Sequence, residues 1–82
     1  MQIKGYVDTT KREAHVEIIV AGITIGTFDF KLKDGLTIKI NLLAVTGEIR
    51  FYVKNGNELW VHIELKVLFD GQWNEDAKII SW

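Results

Sequence analysis

Apolar and polar side chains take turns along most of this chain. The clearest stretch sets Leu59, Val61, Ile63, Leu65, Val67 and Phe69 on one side of the backbone and Trp60, His62, Glu64, Lys66 and Leu68 on the other. Alternation of this kind belongs to an extended strand with one buried face. A helix over the same residues would bring His62 onto the face of Leu59 and Lys66 near that of Ile63, and would bury charge. The same pattern places Leu36, Ile38, Ile40 and Leu42 opposite Thr37, Lys39 and Asn41, and Ile49, Phe51 and Val53 opposite Glu48, Arg50, Tyr52 and Lys54. Both read as antiparallel strands with one wet face.

Asp34-Gly35, Asn55-Gly56 and Asp70-Gly71 each interrupt the alternation with residues that tolerate the positive φ of tight hairpins, and Ala21-Gly22 and Thr46-Gly47 carry weaker signals of the same kind. The strands so delimited fall near 2–8, 13–21, 23–33, 36–45, 48–54, 58–69 and 75–82. Their connections are too short for helices, and sequential strands with short links tend to pair, which predicts an up-and-down order. Two places change phase. Ile23 and Ile25 are odd while Phe28, Phe30 and Leu32 are even, so an extra residue near Gly26-Thr27 would keep both sets inward; Leu42, Leu43 and Val45 make a similar change.

Strands this long cannot leave an apolar face wet. They must roll into a barrel, stack as a sandwich or press against a second chain. The predicted fold is all-β: a single small antiparallel meander of six or seven strands, closed barrel or two-sheet sandwich, with little or no helix. Neither proline nor a low-complexity linker marks a boundary, so residues 1–82 read as one domain. Without proline, charge and bulges are left to discourage edge-to-edge pairing, and self-association as a homodimer or higher species is expected.

Composition narrows the function. The chain has 82 residues, 48% of them hydrophobic, a net charge of -1 and no cysteine, which removes thiolate catalysis, Cys-ligated zinc and iron–sulfur chemistry. Balanced charge supplies no global field for a polyanion. The longest uncharged run, Ile18 to Phe28, is far shorter than the ~20 apolar residues of a membrane-spanning helix. The first residues lack the charged-then-apolar pattern of a signal peptide, so the expectation is a chain that is either cytoplasmic or already processed. Asx-Gly turns between clean alternating runs, without proline or cysteine, are also what a designed or engineered scaffold would contain.

Candidate chemistry is sparse. His15-Val16-Glu17 and His62-Ile63-Glu64 are two His-x-Glu units in similar contexts. Were the second and sixth strands neighbours, His15, Glu17, His62 and Glu64 could converge on a divalent metal; otherwise each is a same-face ion pair. Glu17 and Glu64 could act as an acid–base pair only in a cleft that the sequence does not supply. Phosphate loops, Gly-x-Ser-x-Gly and His-Glu-x-x-His units are absent. Lys31, Lys33, Lys39, Arg50, Lys54 and Lys66 project from the polar faces with Tyr52 and Trp60 among them, a pattern suited to single-stranded nucleic acid. Asp29, Glu48, Glu58 and Glu64 share those strands, however, and cross-strand pairing explains the mixture equally well. Lys39, Arg50, Tyr52, Lys54 and Trp60 are the candidate ligand-binding residues. Trp60, Trp73 and Trp82 could stack on sugars or cover the end of a small core.

Val16, Ile18, Val20, Ile25, Phe28, Phe30, Ile38, Ile40, Phe51, Ile63, Leu65 and Val67 are the expected lining of the interior. A barrel of about eight strands is just wide enough for one small ligand, whereas six or seven strands are filled by side chains. The sequence therefore points to a non-catalytic β-sheet binding or self-assembling module without a cofactor. The alternative is a small binding protein for an apolar ligand, lipid, sugar or single-stranded nucleic acid, the last being the least expected.

Overall fold

Strands form where the alternation runs: β1 (Gln2–Asp8), β2 (Glu13–Val20), β3 (Ile23–Lys31), β4 (Leu36–Asn41), β5 (Val45–Lys54), β6 (Glu58–Val67) and β7 (Gly71–Ser81). The computed structural model describes residues 2–69 and 71–82. Every pairing is antiparallel, and the strands form two sheets, β1-β2-β3 and β4-β5-β6-β7. Among the described residues no hydrogen-bonded ladder joins β3 to β4 or β7 to β1, so the meander does not close into a barrel; it folds over as a sandwich. The break falls at Leu32–Gly35, where Asp34 and Gly35 donate to the Lys31 carbonyl (3.0 and 3.2 Å) in one tight turn.

Both sheets turn their apolar faces onto one core. Val16, Ile18, Val20 and Phe30 come from the three-stranded sheet, Leu32 from the turn that follows it, and Ile38, Ile40, Val45, Ile49, Phe51, Leu59, Val61, Ile63, Leu65 and Val67 from the other sheet; all are buried. Phe30 and Phe51 meet across the gap with ring centroids 5.3 Å apart. Among the described residues no polar or charged side chain is buried, which spares the fold the desolvation cost of an unmatched polar group. The expected lining is inside, with Ile25 and Phe28 only half-buried.

The phase change in the third strand is a bulge: Ile18 pairs with Gly26 and Ile19 with Thr24, leaving Ile25 as the extra residue. A second bulge, which the alternation did not announce, lies between Leu59↔Ile80 and Trp60↔Lys78, with Ile79 as the extra residue. Ala21 and Gly22 (φ +51° and +78°) and Asn55 and Gly56 (φ +58° and +77°) form hairpin turns with positive φ at both central positions, the backbone that matches strand twist.

Four expectations are corrected. Thr46-Gly47 is not a turn: β5 starts at Val45, and Gly47 pairs with Ile40 on one side and Leu65 on the other. The turn is Leu42–Ala44, closed by the Leu42 amide donating to the Val45 carbonyl at 2.8 Å. The phase change at Leu42 and Leu43 is therefore a hairpin and not a bulge. β7 begins at Gly71, four residues before the expected start, because Gln72, Trp73 and Asn74 continue the ladder with β6. Phe69, expected inward with Val67, stands in solvent just beyond β6. Of the proposed Asp70-Gly71 turn, Asp70 lies outside the described residues.

Gly47 occupies a strand interior at φ +141°, and a Cβ there would collide with the Glu64 carbonyl oxygen. The absence of a side chain lets β5 and β6 approach and coil. Gly47→Ala should therefore cost at least about 2 kcal/mol, from backbone strain and separation of the ladder. Phe51→Ala, which empties the centre of the inter-sheet contact, should cost about 3–5 kcal/mol. Urea unfolding followed by Trp fluorescence would measure both.

Candidate functional site

The inward side chains are committed to the core, so functional polar groups sit on the two outer faces. On the three-stranded sheet, Tyr6, His15 and Asp29 lie in one row across β1, β2 and β3. The Tyr6 and His15 rings stack at 5.4 Å, and His15 Nδ1 meets the Asp29 carboxylate at 2.5 Å. An open depression of about 620 Å³ adjoins this row, lined by Tyr6, Asp8, Glu13, His15, Asp29 and Lys31 among others. Its lining mixes apolar groups, Ala14 and Phe30 among them, with charges of both signs.

On the four-stranded sheet, Arg50, His62 and Asp76 form the corresponding row across β5, β6 and β7. His62 Nδ1 donates to Asp76 Oδ1 at 2.9 Å, and Nε2 lies 3.2 Å from Glu64 Oε1. Tyr52 reaches the same Asp76 oxygen from β5, donating its hydroxyl at 3.2 Å. A carboxylate only accepts hydrogen bonds, so a histidine held between two of them is best matched as the imidazolium. The hydrogen bonds to Asp76 and then Glu64 accordingly raise the His62 pKa above its ordinary value, against partial desolvation. The Tyr52 hydroxyl is also held above its usual range, by desolvation first and then by donation to Asp76.

At the β5–β6 hairpin, Glu58 accepts from Asn55 Nδ2 (2.9 Å) and Trp60 Nε1 (3.2 Å). These bonds hold its carboxyl below the usual range. Lys54 Nζ lies 4.5 Å from the centre of the Trp60 ring.

The His-x-Glu units do not come together. His15 and Glu17 lie on β2 of one sheet, His62 and Glu64 on β6 of the other, and the outer faces of a sandwich point away from each other. A shared metal site would need those strands adjacent, and so would an acid–base pair of Glu17 and Glu64. Among the described residues no group of three or more His, Asp or Glu side chains is placed to hold a metal ion. Lys39, Arg50, Tyr52, Lys54 and Trp60 do share one outer face, but that face is already internally paired. Lys39 opposes Glu48, Arg50 lies 3.5 Å from Glu48, and the Tyr52 and Trp60 polar atoms are bonded to carboxylates. Trp82 packs against the core, whereas Trp73 is exposed.

Asp29 and Asp76, the partners of the two histidines, were missed as site residues. A signal for them exists. The offset of 47 residues between His15 and His62 also relates Glu17 to Glu64, Asp29 to Asp76 and Lys31 to Lys78. Both His–Asp pairs are direct cross-strand partners, so the β2–β3 and β6–β7 hairpins carry the same polar motif on opposite faces. Comparison with known proteins returned no matching family, no matching curated protein and no matching solved structure.

Because the folded-state pKa of His62 is raised, its ion pairs stabilise the fold fully below the unfolded value of about 6.5 and the contribution fades as pH rises through the folded value. Proton NMR titration should place the His62 midpoint above that of an unstructured histidine. Asp76→Asn should bring it down towards the ordinary value and flatten the decline of stability between neutral and mildly alkaline pH.

Proposed function

We propose that this protein is a non-catalytic β-sheet module that works by binding, in the first place to further copies of itself. The reading rests on where unsatisfied surface remains. The interior is filled by side chains, and among the described residues no polar side chain lies inside to orient a ligand or support a reaction. The outer polar rows are spent on one another. What is left over is apolar and outside: Leu42, Leu43, Leu68, Phe69, Trp73 and Ile79 are large hydrophobic side chains in solvent. Clusters of exposed apolar surface mark association sites.

The sheet edges support the same reading. β7 is an 11-residue edge strand, long for an edge and without proline to block pairing. Glu75 stands opposite Ile63, on the core-facing side of β7, and such a charge moderates edge pairing without abolishing it. Hairpin turns of matched twist, a glycine inside β5 and two bulges are also devices of a designed scaffold, and self-association is compatible with either origin.

A second reading has one observation in its favour. The depression beside Tyr6 combines an exposed aromatic ring with carboxylates and lysines, groups that suit a sugar or another small polar ligand. Sedimentation velocity over a wide concentration range should give a weight-average mass that climbs above that of one chain. A mass fixed at one chain throughout, with Trp or Tyr fluorescence responding to an oligosaccharide, would replace the first reading with the second.

A further inference from the structure

The repeat carried by the two His–Asp hairpins extends to the strands before them. At an offset of 46 residues, Ile3, Lys4, Tyr6 and Val7 of β1 match Ile49, Arg50, Tyr52 and Val53 of β5. Beyond the turns the offset becomes 47, and Val16, Ile18 and Val20 match Ile63, Leu65 and Val67. The β1-β2-β3 and β5-β6-β7 meanders are therefore two versions of one unit. After the first unit, β4 crosses to the other sheet and pairs antiparallel with β5. β1 is the counterpart of β5, yet among the described residues it pairs with β2 alone. Its second side is open where β5 carries β4.

The core is incomplete at the same place. Between the free edges of β1 and β7 lies a cleft of about 200 Å³, lined by Ile3, Val7, Val16, Leu59 and Ile80 among others. Gly5 helps to open it, because it stands where β5 has the buried Phe51. A Cβ at Gly5 would collide with the His15 carbonyl oxygen, so β1 cannot supply the side chain itself. A dry cavity of about 150 Å³ accommodates benzene, so the cleft has room for one large apolar side chain brought in by a neighbouring strand. A cross-strand side chain packed over an edge glycine completes such a surface. Among the described residues of the lining, the one charge is that of the exposed Lys4.

We propose that β1 is a docking edge for an extended peptide of a partner protein, which adds antiparallel as an eighth strand in the place that β4 takes beside β5. Main-chain hydrogen bonds to a sheet edge supply affinity, and alternate side chains supply selectivity. The β4–β5 register, transferred to β1, gives the pattern. Ile38 opposes Ile49, Thr37 opposes Arg50 and Leu36 opposes Phe51. On β1 the peptide therefore places an apolar residue opposite Ile3 and a large one opposite Gly5, and the residue between them faces Lys4. Opposite charges directly across two strands attract, so a carboxylate belongs at that middle position. The occupant is a peptide and not a second folded copy, because the strands of a copy already turn their apolar side chains into their own core. Only a segment that is unfolded beforehand can pair with β1 and fill the cleft together. This goes beyond self-association and stands without it.

Two acetylated and amidated peptides test the edge: Leu-Thr-Ile-Lys-Ile-Asn, the sequence of β4, and the same peptide with Thr37→Glu. Titrated into the isotope-labelled full chain, both should shift the amide NMR signals of β1 and of Ile79 and Ile80 and slow solvent exchange along β1. The Thr37→Glu peptide should bind about three to ten times more tightly than its parent. Lys4→Glu in the protein, a change at an exposed position whose retained sheet circular dichroism checks, should reverse that preference. Methylating alternate amide nitrogens of the peptide should abolish binding in one phase and be tolerated in the other, because an edge strand pairs through every second residue. Equal binding of the two methylated phases would overturn the proposal, as would the absence of any shift at millimolar peptide. Shifts confined to β4 and β5 would mean that the peptide displaces β4, and would overturn it too. β1 signals that move with protein concentration alone would assign the edge to a second copy, overturning the proposal and leaving self-association standing. A chain that stays single at every concentration and still binds the peptides would remove the self-association reading and keep this one.

Discussion

Burial of two apolar sheet faces against each other is the constraint on which everything else in this structure depends. Among the described residues no backbone ladder joins the two sheets, so side chains such as Phe30 and Phe51 carry the contact between them. A chain of this length buries only about 60–65% of its unfolded surface. It therefore has little reserve, and the interior is uniformly apolar as a consequence. A ligand cavity or a buried catalytic group would have to displace packing that the fold cannot spare.

That commitment pushes polar chemistry outward. Each histidine sits mid-row on the central or penultimate strand of its sheet and finds an aspartate on the next strand at the same level. The His62 arrangement is the more complete, because β5 adds Tyr52 to the shared Asp76 oxygen and Glu64 takes the second ring nitrogen. A ring with both nitrogens engaged is a structural cross-link between strands and a poor metal ligand or general base. Pairing of this kind on a solvated face adjusts stability and its pH dependence modestly.

The unclosed sandwich has a second consequence. A barrel would have paired β3 with β4 and β7 with β1; the sandwich leaves those edges free and leaves an apolar seam at β1 and β7. Turns at the far end then carry the hydrophobic side chains that the core has no room for. Surplus apolar surface and open edges are the raw material of association, as the polar rows are of stability.

Alternation alone determined that this chain is all-β, which face of each strand from β2 to β6 is buried, and that Ala21-Gly22 and Asn55-Gly56 turn. It also announced a bulge in β3 through the change of parity between Ile23 and Phe28, placing it near Gly26-Thr27 where the structure has Ile25 as the extra residue. These are local properties, set by the two-residue period of an extended backbone and by the φ that each turn residue tolerates. Only the tertiary structure decided that Thr46-Gly47 continues a strand, because a glycine looks like a turn until its close approach to Glu64 is visible. It alone separated His15 from His62, paired each with an aspartate and left Phe69 in water. Those outcomes depend on which strands become neighbours and where one sheet ends above the other. The hydrophobic pattern of a single strand carries no record of either, because it is the same whether its buried face meets a barrel interior, a second sheet or a second chain.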